Sequence, residues 1–397
     1  MNEWRETDIG VIPIHWELKT IDEIKSDEKK SIISGPFGSN ISAKYFVECG
    51  IPVIRGNNLS LDINKKFIDR GFVYITEEKA KELNTWAIKD DIIFTAVGTI
   101  GQVGILTGKE KYPQYIISNK QLRLRVNTKI VEPLYAYYWF ASPLIADMIL
   151  QRNTGSSVPL INLSVLKSLL IPLPPENERL QILKIISSLD DKIELLHRQN
   201  ATLEAMTETL FRQWFVEEAK EEWEEGVLSD IIEFNYGKTL RDGERSGNGF
   251  PVYGSSGIVG YHKDFLVPGP GIITGRKGTL GVINYSFQNF FPIDTTFFIT
   301  SKKNSKGLFF EYFLLKTLNL SEMNSDSAVP GLNRNLAHGI QISIPPIKLI
   351  NQFNHNTDPL FSKIRFNQNQ IMILTTLRDS LLPKLMSGEA KVEIPNT

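Results

Sequence analysis

"IPLPPENERLQI" (Ile171–Ile182) meets a near-copy of itself 171 positions later, "ISIPPIKLINQF" (Ile342–Phe353), with the double proline in register. Repetition at a fixed offset signals an architecture built twice. The match extends backwards. "SVPLINLSVLKSLLIPLPP" (Ser157–Pro175) lines up with "AVPGLNRNLAHGIQISIPP" (Ala328–Pro346). It also extends forwards, from "DKIELLHRQNATL" (Asp191–Leu203) to "SKIRFNQNQIMIL" (Ser362–Leu374). Earlier in the chain the offset grows. "VGTIGQVG" (Val97–Gly104) pairs with "KGTLGVIN" (Lys277–Asn284) at 180, and "GIPVIRGNN" (Gly50–Asn58) with "GFPVYGSSG" (Gly249–Gly257) at 199. "WELKTIDEI" (Trp16–Ile24) pairs with "WEEGVLSDI" (Trp223–Ile231) at 207. The first copy therefore carries extra residues in its middle.

Each copy splits into a globular part and a long helix. "DDIIFTAVGTIGQVGIL" and "GPGIITGRKGTLGVI" are β-branched runs cut by glycines, which predict strands. "PLYAYYWFASPLIADMILQ" and "GLFFEYFLLKTLNL" carry aromatics at helical spacing, a core-packing pattern. Pro174-Pro175 and Pro345-Pro346 hold the preceding backbone extended and suit a first helical turn. After them the apolar residues recur every seven. Ile186, Ile193, Asn200, Thr207 and Trp214 take one seam position; Ile182, Leu189, Leu196, Leu203 and Leu210 take the other. The second helix repeats this with Thr357, Ile364, Ile371, Arg378 and Leu385, then Phe353, Leu360, Asn367, Leu374 and Leu381. Such heptads predict a coiled coil, and Gly388 is its expected stop.

The expected fold class is α+β: two similar β-rich domains separated by two long helices packed as an antiparallel coiled coil about a pseudo-twofold. The expected boundaries are 1–175 and 219–346 for the domains, and 176–218 and 347–390 for the helices. About 40 residues at 1.5 Å each give a bar of roughly 60 Å. Antiparallel packing keeps the domains from crowding one end. Asn200 and Asn367 either fix register or are plain defects of the seam.

At 397 residues the chain is long enough for two cores. No apolar run approaches the roughly 20 residues of a membrane span, and "MNEWRETDIG" has no signal-peptide character. The single cysteine, Cys49, leaves no internal disulfide and argues against a cysteine zinc site. A reducing cytoplasm fits. Net charge is −1. Between Glu176 and Glu225, 13 acidic residues stand against 6 basic ones, while the stretches 1–175, 226–346 and 347–397 each stand at +2. The acidic "EEAKEEWEEG" reads as a solvated linker, as a spacer repelling phosphate, or as a contact for a basic partner.

Two similar heads at a fixed separation suit a reader of two DNA half-sites, since the duplex repeats about every 34–36 Å. On that reading, lengthening both helices in step changes the preferred half-site spacing. Base edges are read by Arg, Lys, Asn, Gln, Ser or Thr on turns. The glycine-flanked polar turns supply Asn40, Lys44, Arg55, Asn57, Asn58, Lys120, Gln121 and Arg123 in the first head. In the second they supply Lys238, Arg241, Tyr253, Ser255, Ser256, Arg276, Lys277 and Thr279. For each of these, a solvated loop is the competing reading. Leu183, Leu195, Phe211 and Phe215 lie off the seam, and either dock a partner or pack on the heads.

The order of parts carries a family resemblance. An opening "ETDIGVIPIHWE", a β-rich domain and "PLPPENERLQILKIISSLDDKIELL" are followed by a second β-rich domain and "LRDSLLPKLMSGE". Over nearly the whole length this resembles the specificity (S) subunit of type I restriction–modification enzymes. The resemblance implies two target-recognition domains reading a split asymmetric site in double-stranded DNA, and helices that dock two methyltransferase (M) subunits. Those use S-adenosylmethionine to methylate adenine N6; restriction (R) subunits with ATP and Mg join them and cleave. The chain itself is then non-catalytic and binds no cofactor or metal. The motifs agree: the nearest strings to an Asn/Asp-Pro-Pro-aromatic methylation motif are "LPPEN" and "IPPIK". "GKT" (Gly237–Thr239) has Ile232 where a phosphate-binding loop needs glycine. "GPGIITG" (Gly269–Gly275) reads as a turn into a strand, not a dinucleotide loop. The histidines, His15, His197, His262, His338 and His355, lack metal spacing. An isolated chain with its partner surface bare is expected to self-associate. The alternative is a two-headed coiled-coil scaffold for proteins, without DNA specificity. DNA binding with and without the methyltransferase separates the two.

Overall fold

The computed structural model describes residues 3–155, 157–303, 307–323 and 331–393. The Ala328–Pro330 end of the repeat lies outside them. The chain forms two compact units. Unit 1 takes residues 1–192 and 374–397, and unit 2 takes 193–373.

In unit 1 the strands in chain order are β1 (Trp4–Thr7), β2 (Gly10–Pro13), β3 (Glu17–Thr20), β4 (Ile32–Ser34), β5 (Ile51–Ile54), β6 (Val73–Ile75), β7 (Trp86–Ile88), β8 (Ile92–Thr95), β9 (Val103–Ile105), β10 (Gln114–Ile117), β11 (Gln121–Leu124) and β12 (Leu170–Leu173). Its short helices are α1 (Ile21–Ile24), α2 (Glu77–Leu83), α3 (Pro133–Phe140), α4 (Pro143–Gln151) and α5 (Leu163–Lys167). The long helix α6 (Glu176–Arg212) follows. Unit 2 adds β13 (Glu224–Val227), β14 (Ile232–Tyr236), β15 (Phe250–Gly254), β16 (Gly257–His262), β17 (Gly271–Gly275), β18 (Ile283–Ser286), β19 (Phe291–Pro292), β20 (Thr296–Ser301) and β21 (Gln341–Ile344). Its helices are α7 (Phe309–Thr317) and α8 (Arg334–His338), and α9 (Ile347–Ser387) ends the described fold.

The two units repeat one topology. A four-stranded sheet β4-β11-β8-β9 in unit 1 has its counterpart β14-β20-β17-β18 in unit 2. The antiparallel pair β12–β3 matches β21–β13, so both proline-led strands return to the start of their own copy. Even the one parallel pairing is duplicated: Ile116–Ile117 of β10 beside Val53–Ile54 of β5, and Phe291–Pro292 of β19 beside Val252–Tyr253 of β15. β6 beside β5 matches β16 beside β15, and the extra residues of the first copy build α2 and β7, the latter a fourth strand beside β10.

Unit 1 is closed by the aromatic helix α3, whose Tyr135, Tyr137, Tyr138 and Phe140 are buried. Its helical stretch breaks at Ser142-Pro143, where Ser142 caps α4 by accepting from the Ile145 amide at 3.4 Å. Segment 176–192 of α6 and segment 374–387 of α9 pack into the same core through Ile182, Ile186, Leu382, Leu385 and Met386. Asp190 accepts from Arg378 at 2.9 Å, and Trp16 donates to Glu178 at 3.3 Å while lying beside Gly388, so the two segments run antiparallel. Gly388 ends α9 with φ +78°, the left-handed stop a glycine supplies.

In unit 2 the remaining segments of α6 and α9 are also antiparallel. The Asn367 amide donates to Asn200 Oδ1 at 2.9 Å, and further along Phe211 meets Phe353 at 5.7 Å between ring centres. Every expected seam residue is withdrawn from solvent. Ile186, Ile193, Leu196, Ile364 and Asn367 are buried. Leu189, Asn200, Leu203, Leu210, Leu360, Ile371, Leu374 and Leu381 are half-buried. Of the off-seam residues, Phe211 is buried and packs with Phe310, Phe313 and Phe353. Phe215 joins the same aromatic cluster at 4.8 Å from Phe310. Leu183 packs on the core of unit 1. Only Leu195 of the four stands exposed.

Candidate nucleic-acid interface

In unit 1 the turns that leave β4, β5 and β8 converge on the short β10–β11 connection. The Ser118 amide donates to Ile54 O at 2.9 Å, the Gly35 amide to Gln121 O at 2.9 Å, and the Ala96 amide to Lys120 O at 2.7 Å. Crossing backbones demand a small residue. A Cβ on Gly35 would lie 1.8 Å from the Ser118 carbonyl oxygen. On this platform Asn40, Arg55, Asn57 and Lys120 are exposed. Asn57 donates to Gly71 O at 3.1 Å. Lys44 is exposed one turn further along, its ammonium 4.8 Å from the Tyr45 ring.

Unit 2 builds the same platform with the same main-chain bonds. The Ile293 amide donates to Tyr253 O at 2.9 Å, Gly237 to Thr296 O at 3.2 Å, and Arg276 to Thr295 O at 2.8 Å. A Cβ on Gly237 would lie 2.1 Å from Ile293 O. Here Lys238, Arg241, Ser256, Lys277 and Thr279 are exposed, and Ser255 and Arg276 are half-buried. Arg276 donates to the Asp294 carbonyl at 3.1 Å, and its guanidinium sits 4.9 Å from the Tyr236 ring.

Four expected contacts are instead part of the core. Asn58 is buried and donates to the Ile68 and Arg70 carbonyls, each at 2.9 Å, clamping its own loop. Gln121 is buried against Ser118. Arg123 is buried on Asp91 at 3.3 Å and on the Lys30 carbonyl. Tyr253 packs edge-on against Phe290 at 5.9 Å. Gln121 and Arg123 lie on a strand whose second face is also covered. Arg123 stands opposite Ile33 and Ile93, and these pack against Ile54 and Ile117 of the neighbouring sheet. Desolvation pulls the Arg123 guanidinium below its ordinary pKa, with Asp91 opposing the fall.

Two residues went unselected in the sequence. Phe37, at the tip of the turn after β4, is 85% exposed, and Tyr236 is 51% exposed. Both are aromatics beside a glycine in turns already marked as polar; that pairing was the available signal. Among the described residues no group of three His, Cys, Asp or Glu side chains is placed to hold a metal. No described helix is long and apolar enough to cross a membrane.

The description "Type I restriction modification DNA specificity domain" fits residues 13–205 and again 220–371, one match for each platform. This chain belongs to that family. The specificity subunit of the type I restriction enzyme MjaIX from Methanocaldococcus jannaschii is 28% identical, over 98% of this chain and 97% of that one. The HindI specificity subunit of Haemophilus influenzae is 23% identical, over 76% and 86% respectively. The crystal structure of a type I S subunit from M. genitalium shares the fold, with a TM-score of 0.56 at 21% identity over 96% of both chains. As a specificity subunit, the chain serves DNA target recognition and performs no catalysis itself.

Proposed function

We propose that each unit reads one half of a split, asymmetric site in double-stranded DNA, through the turns that converge on its platform. One observation carries this reading: identical main-chain bonds present different side chains. Where unit 2 has Arg276 and Lys277, unit 1 has Ala96 and Val97 bonded to the equivalent carbonyl; where unit 1 has Lys120, unit 2 has Thr295. A constant scaffold with exchanged polar groups is what two unlike half-sequences require. Asn40, Arg55, Asn57, Lys120, Lys238, Ser255, Ser256, Arg276, Lys277 and Thr279 are the proposed contacts, with Lys44 and Arg241 at the margin. The docking face for two methyltransferase subunits lies on the helices. Leu195 and Met206 on α6, and Phe366 and Ile373 on α9, are exposed apolar residues; the last two share one face at i and i+7. S-adenosylmethionine, ATP and Mg act on those partners and on the restriction subunits, in the cytoplasm, and the bare helices make the isolated chain self-associate. Mapping N6-methyladenine in host DNA with the gene intact and deleted tests this. One split motif should vanish on deletion; an unchanged methylation pattern ends the reading.

A further inference from the structure

Some arginines near the platforms have an acidic partner, and others, Arg55 and Arg241 among them, have none among the described residues. Arg123 and Arg125 share Asp91, Arg245 holds Asp242, and Arg334 holds Glu233. Arg276 belongs with the second group. Among the described residues no carboxylate pairs with it, and Asp294 offers it only a backbone carbonyl, 3.1 Å from Nη1. Its main chain is pinned on both sides, by its own amide on Thr295 O at 2.8 Å and by the Leu332 amide on its carbonyl at 2.9 Å. Its guanidinium is laid over Tyr236 at 4.9 Å and approaches Phe297 at 5.9 Å. A planar cation thus stands braced, with no counter-charge among the described residues and one of its N–H groups on a backbone carbonyl, where the turns after β14, β15 and β17 meet.

A pre-organised guanidinium fork matches a pair of acceptors set side by side. In a DNA major groove that pair is N7 and O6 of guanine. Holding the fork by stacking removes the rotamer entropy that a free arginine loses on binding. We infer that Arg276, braced by Tyr236, reads a guanine in the half-site taken by unit 2, an inference that rests on the split-site reading above. Unit 1 has Ala96 at the equivalent position, so its half-site owes no guanine to this point of the scaffold.

The test uses the full chain assembled with its methyltransferase subunits, and selection of bound duplexes from a randomised library. Wild type should enrich a split motif with a required guanine in one half. Arg276→Ala and Arg276→Lys should each relax that one position by roughly 5- to 150-fold while leaving the other half-site unchanged. Tyr236→Ala should relax it partially, and Tyr236→Phe should not. Replacing that guanine with 7-deazaguanine should weaken the wild-type complex and leave Arg276→Ala indifferent, a readout that a folding defect cannot imitate. A motif whose base preferences survive Arg276→Ala, with affinity lost evenly across sequences, makes Arg276 a phosphate contact and overturns the inference alone. No enriched motif in the wild type overturns the split-site reading and this inference together.

Discussion

At the scale of single residues, the polar groups of the platforms divide by burial. Arg123 is buried on Asp91, which also takes Nε of Arg125 at 2.8 Å. Truncating Asp91 leaves the buried Arg123 guanidinium without a carboxylate. Asp91→Ala should therefore cost about 3–5 kcal/mol of stability in urea unfolding. Lys120 and Lys277 are exposed, so Lys120→Ala and Lys277→Ala should move stability by less than about 0.5 kcal/mol. Each should instead reduce the slope of log binding against log salt by about 0.9 if it meets a phosphate. Titration of duplex binding across salt concentrations checks this, and an unchanged slope removes the residue from the interface. The sequence marked turns that the fold gathers on the platforms but could not tell which way a side chain points. The string "QLRL" of β11 has the alternation of a half-solvated strand. A second sheet covers the face that alternation assigns to water, so Gln121 and Arg123 lie inside.

At the scale of elements, the heptads made both long helices legible, together with their seam. What they hid is the partner of Arg378. That residue sits at a seam position and is buried, and its carboxylate, Asp190, lies 188 residues away along the chain. Lys66 also reaches Asp190, at 2.8 Å, and the Tyr138 hydroxyl donates to it. A loop, α3 and both helices of unit 1 thus meet at one carboxylate. Desolvation works to raise its pKa, but Lys66, Tyr138 and Arg378 outweigh it and hold the group below its ordinary 3.8. A folded pKa below the unfolded one means the stabilisation is present at higher pH and is lost as pH falls through and below 3.8. Asp190→Asn should flatten that acid limb of the stability curve. Urea midpoints between pH 3 and 7, read on a probe in unit 1, check it; an unaltered limb would show that other carboxylates control acid unfolding.

At the scale of the whole molecule, the repeat was legible from the double prolines outward, with offsets of 171, 180 and 199 that the matched strands reproduce. Less visible was that unit 1 is assembled from both ends of the sequence. Leu382, Leu385 and Met386 belong to its core although they follow all of unit 2 along the chain. Ending the chain after Ile373 should therefore damage the N-terminal unit. Amide protection should fall in β8 and β11 while β17 and β20 keep theirs, a pattern that hydrogen exchange by mass spectrometry resolves. Loss confined to unit 2 would contradict the assignment of residues 374–397.

Past Gly388 the chain comes back to Pro13 and Trp16, and Lys391 reaches Glu3 at 3.4 Å. Near neighbours in space can be joined covalently at little entropic expense. Linear order along the gene is then dispensable: a coding sequence cut in the acidic connector at 217–223 and spliced across residues 391 and 3 would present the second copy first yet keep every strand pairing described here. Rearrangement at the level of DNA could shuffle such halves without redesigning either one.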